Sequence, residues 1–181
     1  MAALLFPDNT VLVNFALLDR LSLLDELVRG KAAWTATVAN ECDASAQRPG
    51  LADLARCAEI FGEPWRLTSP SEIVDAQSIR ARMASPGESQ SAHLGEAEAL
   101  VIISGRSPRS AFVTDDLGAR VVAQSMGVAT YSTCHLLKLA VRGRRLSAQD
   151  AWQDVLSLRR QRRRLLDSPG EEWTYMEWCA A

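Results

Sequence analysis

Acidic side chains follow several predicted strands of this 181-residue chain, close to the points where those strands end. Asp8, Glu41, Glu96 and the Asp115-Asp116 pair each lie near a strand end or in the first turns of the following helix. Because the carboxyl ends of parallel strands meet along one edge of a sheet, we expect these carboxylates to converge. Clustered carboxylates repel one another unless a cation neutralises them, and hard oxygen ligands suit Mg²⁺ or Mn²⁺. Such ions activate water and stabilise a phosphodiester under attack, so the acids indicate metal-dependent phosphoryl chemistry.

Three of these acids also have a purely structural interpretation. Asp8 could be only the N-cap of the helix that follows it. Glu96 and Glu98 could be first-turn acids that the helix dipole favours, and Glu41 could lie on a solvated helix face. One acid alone does not define a site, and it is the joint placement of the acids that indicates one.

The chain lacks the motifs of several other enzyme classes. There is no G-x-x-x-x-G-K-[ST], G-x-G-x-x-G, G-x-S-x-G or H-E-x-x-H, which removes the usual support for nucleotide, dinucleotide, serine-hydrolase and zinc-protease sites. His93 and His135 are isolated in the sequence, and we expect structural or surface roles for them. The four cysteines have no C-x-x-C spacing, and no apolar stretch has the length of a signal peptide or a membrane span. We therefore expect a cytoplasmic protein with no membrane partner.

Predicted strands and helices alternate along the chain. The pattern predicts short strands at 3–6, 32–35, 65–67, 111–114 and 128–131, with helices between them. This alternation is typical of an α/β layer fold with a parallel sheet. Thr37 and Thr133 are the predicted N-caps of two helices, and residues 148–166 are predicted to form one long helix.

Short sequence blocks along residues 3–147 resemble PIN-domain proteins. In chain order they are D-N-T-V-L-V-N-F from Asp8, V-A-N-E up to Glu41, G-E-A-E-A from Gly95, V-T-D-D up to Asp116, and S-T from Ser132. The G-E-A-E-A block is similar to the signature of one bacterial branch, which includes VapC-like toxins. The resemblance implies a three-layer sandwich, with a central, mostly parallel sheet between layers of helices. It divides the chain into a PIN-like domain at 1–147 and a C-terminal helical extension at 148–181.

The resemblance implies a metal-dependent endoribonuclease that hydrolyses RNA phosphodiester bonds with a metal-activated water. Carried over by position, Asp8, Glu41 and Glu96 would be catalytic acids that bind Mg²⁺ or Mn²⁺, together with Asp116 or Asp115. Thr10 and Thr133 could hydrogen-bond to these carboxylates or to water around them. The family's members are often the toxin of a toxin–antitoxin pair, so the implied partners are RNA, an antitoxin protein and a second copy in a homodimer. The alternative is a PIN-like binding or assembly module with little catalysis.

The basic charge of the chain is concentrated near its C-terminal end. The net charge is −2, but residues 141–164 contain eight arginines against two aspartates, so the rest of the chain is strongly acidic. The arginines of the predicted long helix could hold RNA phosphates beside the acidic site. They could equally form a solvated face or pair with the acidic body. The residues predicted to bind RNA are Arg159, Arg160, Arg162, Arg163 and Arg164.

Overall fold

Three short parallel strands form the sheet at the centre of the protein. The computed structural model describes residues 3–180, apart from the side chain of residue 173. Within them, β1 (Leu5–Pro7), β2 (Ala111–Val113) and β3 (Ala129–Tyr131) lie side by side in the order β1-β2-β3. Phe6 is opposite Phe112, which is opposite Thr130. The three carboxyl ends therefore meet at one edge, as the α/β prediction requires.

Helices cover both faces of this sheet. Successive strand residues point to opposite faces, and on β2 Phe112 belongs to one buried core cluster whereas Val113 belongs to another. The helices are α1 (Asn9–Leu17), α2 (Leu21–Val28), α3 (Ala36–Ala46), α4 (Cys57–Phe61), α5 (Pro70–Met83), α6 (Leu94–Arg106), α7 (Leu117–Ser125), α8 (Thr133–Arg142), α9 (Ala148–Arg160) and α10 (Glu172–Ala180). Helices on both faces of a parallel sheet make a three-layer α/β sandwich, so the predicted fold class is confirmed.

Two predicted strands shrink to single bridges. Ala32 pairs only with Leu5, and Thr35 pairs only with Trp65. Thr35 also accepts a hydrogen bond from the backbone N–H of Val38 and is the N-cap of α3, so the extended segment ends there. The predicted cap at Thr37 is thus wrong by two residues, and the predicted cap at Thr133 is wrong by one because Ser132 caps α8.

The predicted long helix at 148–166 is also wrong. Helix α9 ends at Arg160, and Arg162 adopts a left-handed backbone with φ 57°. Hydrogen bonds from Arg163 and Leu166 to side chains and backbone near the sheet edge draw the chain away from the helix axis. Both C-terminal helices still contribute to the main core, through Trp152 on α9 and Tyr175 on α10. Among the described residues, no helix is long and apolar enough to cross a membrane.

Candidate active site

Asp8 lies immediately after β1 and caps α1. It is 2% exposed, and its Oδ1 accepts hydrogen bonds from the backbone N–H of Val11 at 2.9 Å and from the hydroxyl of Thr10 at 2.7 Å. Its Oδ2 accepts from the hydroxyl of Thr114, which follows β2. Burial and, to a smaller extent, the charge of Glu96 together raise the pKa of Asp8 to about 7, against the opposing effect of these donors. The Asp8 carboxylate is therefore rigidly held at an electrostatic cost.

The neighbouring Asp115 and Asp116 have different environments. Asp115 is 5% exposed, and its Oδ2 accepts from Asn14 Nδ2 at 3.0 Å and from the hydroxyl and the backbone N–H of Thr133. Its Oδ1 accepts from the backbone N–H of Leu166 at 3.1 Å. Burial raises the pKa of Asp115, and these donors oppose the shift. Asp116 instead caps α7, with Oδ1 2.7 Å from the Ala119 nitrogen, and it lines an open cavity.

Glu41 lies on α3 and faces the same cavity. Burial, together with the nearby charges of Glu96 and Glu98, raises the pKa of Glu41 to about 7, and His93 opposes this shift. The polar contacts of Asn9 join the start of α1 to α3, because its Nδ2 lies 3.4 Å from the Ser45 hydroxyl. The position of Glu41 thus follows from the packing of α3 against the start of α1.

The start of α6 brings two more acids to this region. Glu96 lines the cavity, and its Oε1 lies 3.5 Å from Nδ1 of His93. Glu98 is 6% exposed and accepts a hydrogen bond at 3.0 Å from the backbone N–H of Thr37, in the first turn of α3. Glu98 therefore ties α6 to α3, whereas Glu96 faces the cavity.

Gly95 permits the close approach of α6 to Glu41. A Cβ atom added at Gly95 would lie 3.0 Å from Cγ2 of Val38 and 3.4 Å from both carboxylate oxygens of Glu41. A side chain here would press on Val38, whose side chain would have to shift by a few tenths of an ångström, and it would fill the space against Glu41. The glycine of the G-E-A-E-A block is thus explained by the close packing of α6 against α3.

We expect Gly95→Ala to lower the melting temperature, because overpacking costs about 1–3 kcal/mol. The matched control is Gly105→Ala on the same helix, where an added Cβ meets no atom within 4 Å. Alanine has a higher helix propensity than glycine, so the control should melt at an unchanged or slightly higher temperature. Thermal unfolding of the two variants and the parent chain checks this, and equal melting of both variants would contradict it.

Four of the predicted acids share one cavity of about 250 Å³ at the carboxyl edge of the sheet. Asp115 and Thr133 do not belong to its lining; they hydrogen-bond to each other behind it. The cavity is lined by Asp8, Asn9, Thr10, Val38, Glu41, His93, Glu96 and Asp116.

Sequence reasoning missed or undervalued several residues around the cavity. His93, expected to be structural or on the surface, lines the cavity and lies within ion-pair distance of Glu96. Asn14 is fully buried and bonds to Asp115, yet nothing in the sequence distinguishes it from a core position of α1. The second acid of G-E-A-E-A, Glu98, could have been separated from Glu96 by helical geometry, because residues two apart do not share a face.

The donor chemistry of the cavity fits a divalent cation. Four carboxylates supply hard oxygen ligands, and a cation would offset the burial that raises the pKa of Asp8 and Glu41 and the repulsion from Glu96 that adds to it. Within residues 3–180, no three Asp, Glu, His or Cys side chains already lie close enough to hold one ion. The donor types therefore fit Mg²⁺ or Mn²⁺, and their present spacing is wider than that of a bound site.

The five arginines predicted to bind RNA differ in their surroundings. Arg159 donates to the carbonyl oxygens of Pro169 and Gly170 and to Ser168, and it stacks over the ring of Trp152. Arg163 reaches α1, whereas three of the five are exposed: Arg160, Arg162 and Arg164. RNA binding by these residues stays a prediction.

Comparison with known families assigns the chain. No curated protein and no solved structure gives a significant match. A family model described as PIN domain matches residues 6–169, well over half of the chain, and continues past the boundary predicted at residue 147. Members of this family are typically nucleases and generally use divalent metals. Together with the α/β sandwich and its acidic cavity, this match shows that the chain belongs to the PIN-domain family.

Proposed function

We propose that this protein is a metal-dependent endoribonuclease that hydrolyses RNA phosphodiester bonds. The observation that carries the proposal is the meeting of four carboxylates from separate parts of the chain at one cavity. Asp8 and Asp116 come from the ends of neighbouring strands, and Glu41 and Glu96 come from the two helices that close the cavity. Membership in a nuclease family agrees with this chemistry.

Asp8, Glu41, Glu96 and Asp116 would hold the Mg²⁺ or Mn²⁺ ion. When bound, such an ion supplies an activated water and neutralises charge on the phosphodiester. Asp8 and Asp116 are oriented by fixed donors, namely the backbone N–H groups of Val11 and Ala119. Glu41 has no hydrogen-bond partner among the described residues, so its carboxylate is free to approach a cation. Two carboxylates held by fixed donors, Glu41 without a hydrogen bond to the described residues and Glu96 beside His93 thus surround the cavity.

The Thr10 and Thr114 hydroxyls orient Asp8. Both donate to its carboxylate, so they restrict the directions from which its remaining lone pairs are available. Mutation of such supporting partners typically costs about 10–100-fold in metal affinity or activity. Thr10 therefore supports a ligand of the proposed site, as the sequence predicts, whereas Thr133 contacts Asp115 outside the cavity lining.

RNA is the proposed substrate on grounds of charge and family. The acidic cavity repels phosphate unless a cation is bound, which couples substrate binding to metal binding. The exposed arginines at the end of α9 provide positive charge for RNA phosphates: Arg160, Arg162 and Arg164.

We expect the protein to cut single-stranded or structured RNA in the presence of Mg²⁺ or Mn²⁺. Cleavage should stop when EDTA removes the metal. A mixed RNA panel, resolved on denaturing gels, checks this. Asp43→Asn is the control variant, because Asp43 is an exposed acid of α3 two residues from Glu41. It should cut as the parent chain does. Binding of the RNA panel without any cleavage, by folded protein in either metal, would instead favour the binding-module alternative.

The finer assignment to VapC-like toxins rests on the sequence resemblance. It includes a protein antitoxin and a homodimer as partners, and these stay predictions. Growth arrest on expression of the parent chain, relieved by co-expression of the protein that the adjacent gene encodes, would support the toxin assignment.

A further inference from the structure

The C-terminal segment 161–171, which joins α9 to α10, returns to the edge of the sheet where the cavity lies. Nε of Arg163 donates to Asn14 Oδ1 at 2.7 Å, and its Nη2 lies 3.2 Å from the Thr10 carbonyl oxygen. These contacts span about 150 positions of the chain and end on the helix that Asp8 caps. Arg163 therefore connects the C-terminal segment to the part of α1 nearest the proposed site.

Asn14 connects Arg163 to the Asp115-Asp116 loop, because it bonds to both. Its Oδ1 is the acceptor for Arg163, so its Nδ2 must face the other way, toward Asp115 Oδ2 and the Thr133 hydroxyl, each at 3.0 Å. All of these side-chain atoms are buried except those of the half-buried Arg163. The guanidinium thus determines which end of the buried Asn14 amide faces Asp115.

The C-terminal segment holds Asp115 from a second side. The backbone N–H of Leu166 donates to Asp115 Oδ1 at 3.1 Å, while Asn14 and Thr133 occupy Oδ2. With both oxygens engaged, Asp115 anchors the loop whose next residue is Asp116. Just beyond Leu166, Asp167 pairs with Arg120 on α7 at 2.6 Å, which fixes the segment against the helix that Asp116 caps.

We propose that Arg163 is a positioning residue of the nuclease site, which acts through Asn14 and Asp115 to place the carboxylate of Asp116 in the cavity. The inference rests on the proposed function, because Asp116 is one of its metal-binding acids. It also gives the doubled aspartate two roles, with Asp115 as the anchor and Asp116 as the ligand.

A guanidinium suits this position better than another cation would. It offers several N–H donors in a rigid plane, so one group can bind Asn14 Oδ1 and the Thr10 carbonyl oxygen together. Burial lowers the pKa of Arg163, and the charges of Asp115 and Asp8 oppose that shift. The nearby carboxylates therefore favour a charged group here.

The test replaces Arg163 with methionine, which keeps the apolar stem and removes the guanidinium. Arg109→Met is the matched control, because Arg109 is exposed, is not one of the arginines proposed to bind RNA, and its guanidinium makes no hydrogen bond to the described part of the chain. For Arg163→Met we expect faster amide hydrogen exchange in peptides covering 114–119, and a Kd for Mn²⁺ raised about 10-fold or more. In RNA cleavage, kcat should fall by a similar factor while KM stays within about twofold, since the Arg163 guanidinium is bonded to Asn14 and Thr10, whereas the exposed arginines are the ones proposed to contact RNA. The control should match the parent chain in all three measurements.

A double-mutant cycle separates positioning from general stability. If Arg163 acts through Asn14, then Arg163→Met should change the Mn²⁺ Kd little in an Asn14→Ala background. Additive losses would overturn the proposed route, and unchanged exchange at 114–119 in Arg163→Met would overturn the inference. Should Arg163→Met not fold, Arg163→Lys retains the charge but loses the fork, and the same measurements apply to it.

The exchange measurement also separates this inference from the proposed function. It needs neither metal nor RNA, so it reports on the Asp115-Asp116 loop even if the parent chain neither binds Mn²⁺ nor cuts RNA. If Arg163→Met exchanges faster but the parent chain binds no metal, the positioning role of Arg163 is supported and the proposed nuclease function is rejected. If the parent chain binds metal and cuts RNA, but exchange and kcat are unchanged in Arg163→Met, the nuclease function is supported and the positioning role is rejected.

Discussion

Asp8→Asn is expected to remove metal-dependent RNA cleavage while the protein stays folded. The asparagine oxygen can still accept from the Val11 N–H and so cap α1, because asparagine is a good N-cap. The lost negative charge is the one that would face the metal. Cleavage should fall about 10²–10³-fold, the loss typical when a group that stabilises transition-state charge is removed.

The same substitution should not lower stability in EDTA. Because burial raises the pKa of Asp8 from 3.8 to about 7, ionisation of its carboxyl makes the folded state less stable as pH rises through that window. A neutral amide avoids this loss, so above pH 7 the melting temperature should equal or exceed that of the parent chain. Asp43→Asn serves as the control for cleavage and melting. Full cleavage by Asp8→Asn would reject Asp8 as a metal ligand.

Asp115→Asn is expected to lower the stability of the fold, whereas Asp116→Asn is expected to lower RNA cleavage. Asp115 accepts four hydrogen bonds, so an amide there must turn an NH₂ group toward an N–H or O–H donor. The cost should be about 2 kcal/mol, which lowers the melting temperature by roughly 4–8 °C in a domain of this length. Asp116→Asn keeps the cap on α7 and should change the melting temperature little. It should reduce cleavage about 10²-fold or more, because its charge faces the cavity.

Thermal unfolding in EDTA and cleavage rates for the two variants check this contrast. Each variant is the control for the other, since the substitutions are identical and adjacent. If Asp116→Asn lost stability and Asp115→Asn lost only cleavage, Asp116 would be the anchor of the loop and Asp115 the metal ligand.

Local signals in the sequence were sufficient to predict most of the fold. The alternation of apolar runs and turn residues predicts β2 and β3 to within one residue of their observed bounds. The predicted elements are wrong where contacts between residues distant in sequence determine the path of the backbone. Residues 161–166 continue a helical pattern, but bonds to Asn14 and Asp115 turn them away from α9.

The candidate site was predictable in its members and less so in their roles. Strand ends and the resemblance to PIN domains select Asp8, Glu41, Glu96 and the aspartate pair, but adjacency along the chain cannot tell Asp115 from Asp116. The structure separates them through Thr133 and Leu166, which are 18 and 51 positions away from Asp115. Asn14 and Arg163 were missed in these roles for the same reason.

Direct titration of the parent chain with Mn²⁺ shows whether the four carboxylates at the cavity bind a divalent ion. The four matched variants are Asp8→Asn, Glu41→Gln, Glu96→Gln and Asp116→Asn, each of which removes one charge with little change in shape. We predict that the parent chain binds Mn²⁺ and that every variant binds it at least about tenfold more weakly. A parent chain that binds no Mn²⁺ at millimolar concentration, or variants that bind as tightly as the parent, would contradict the account.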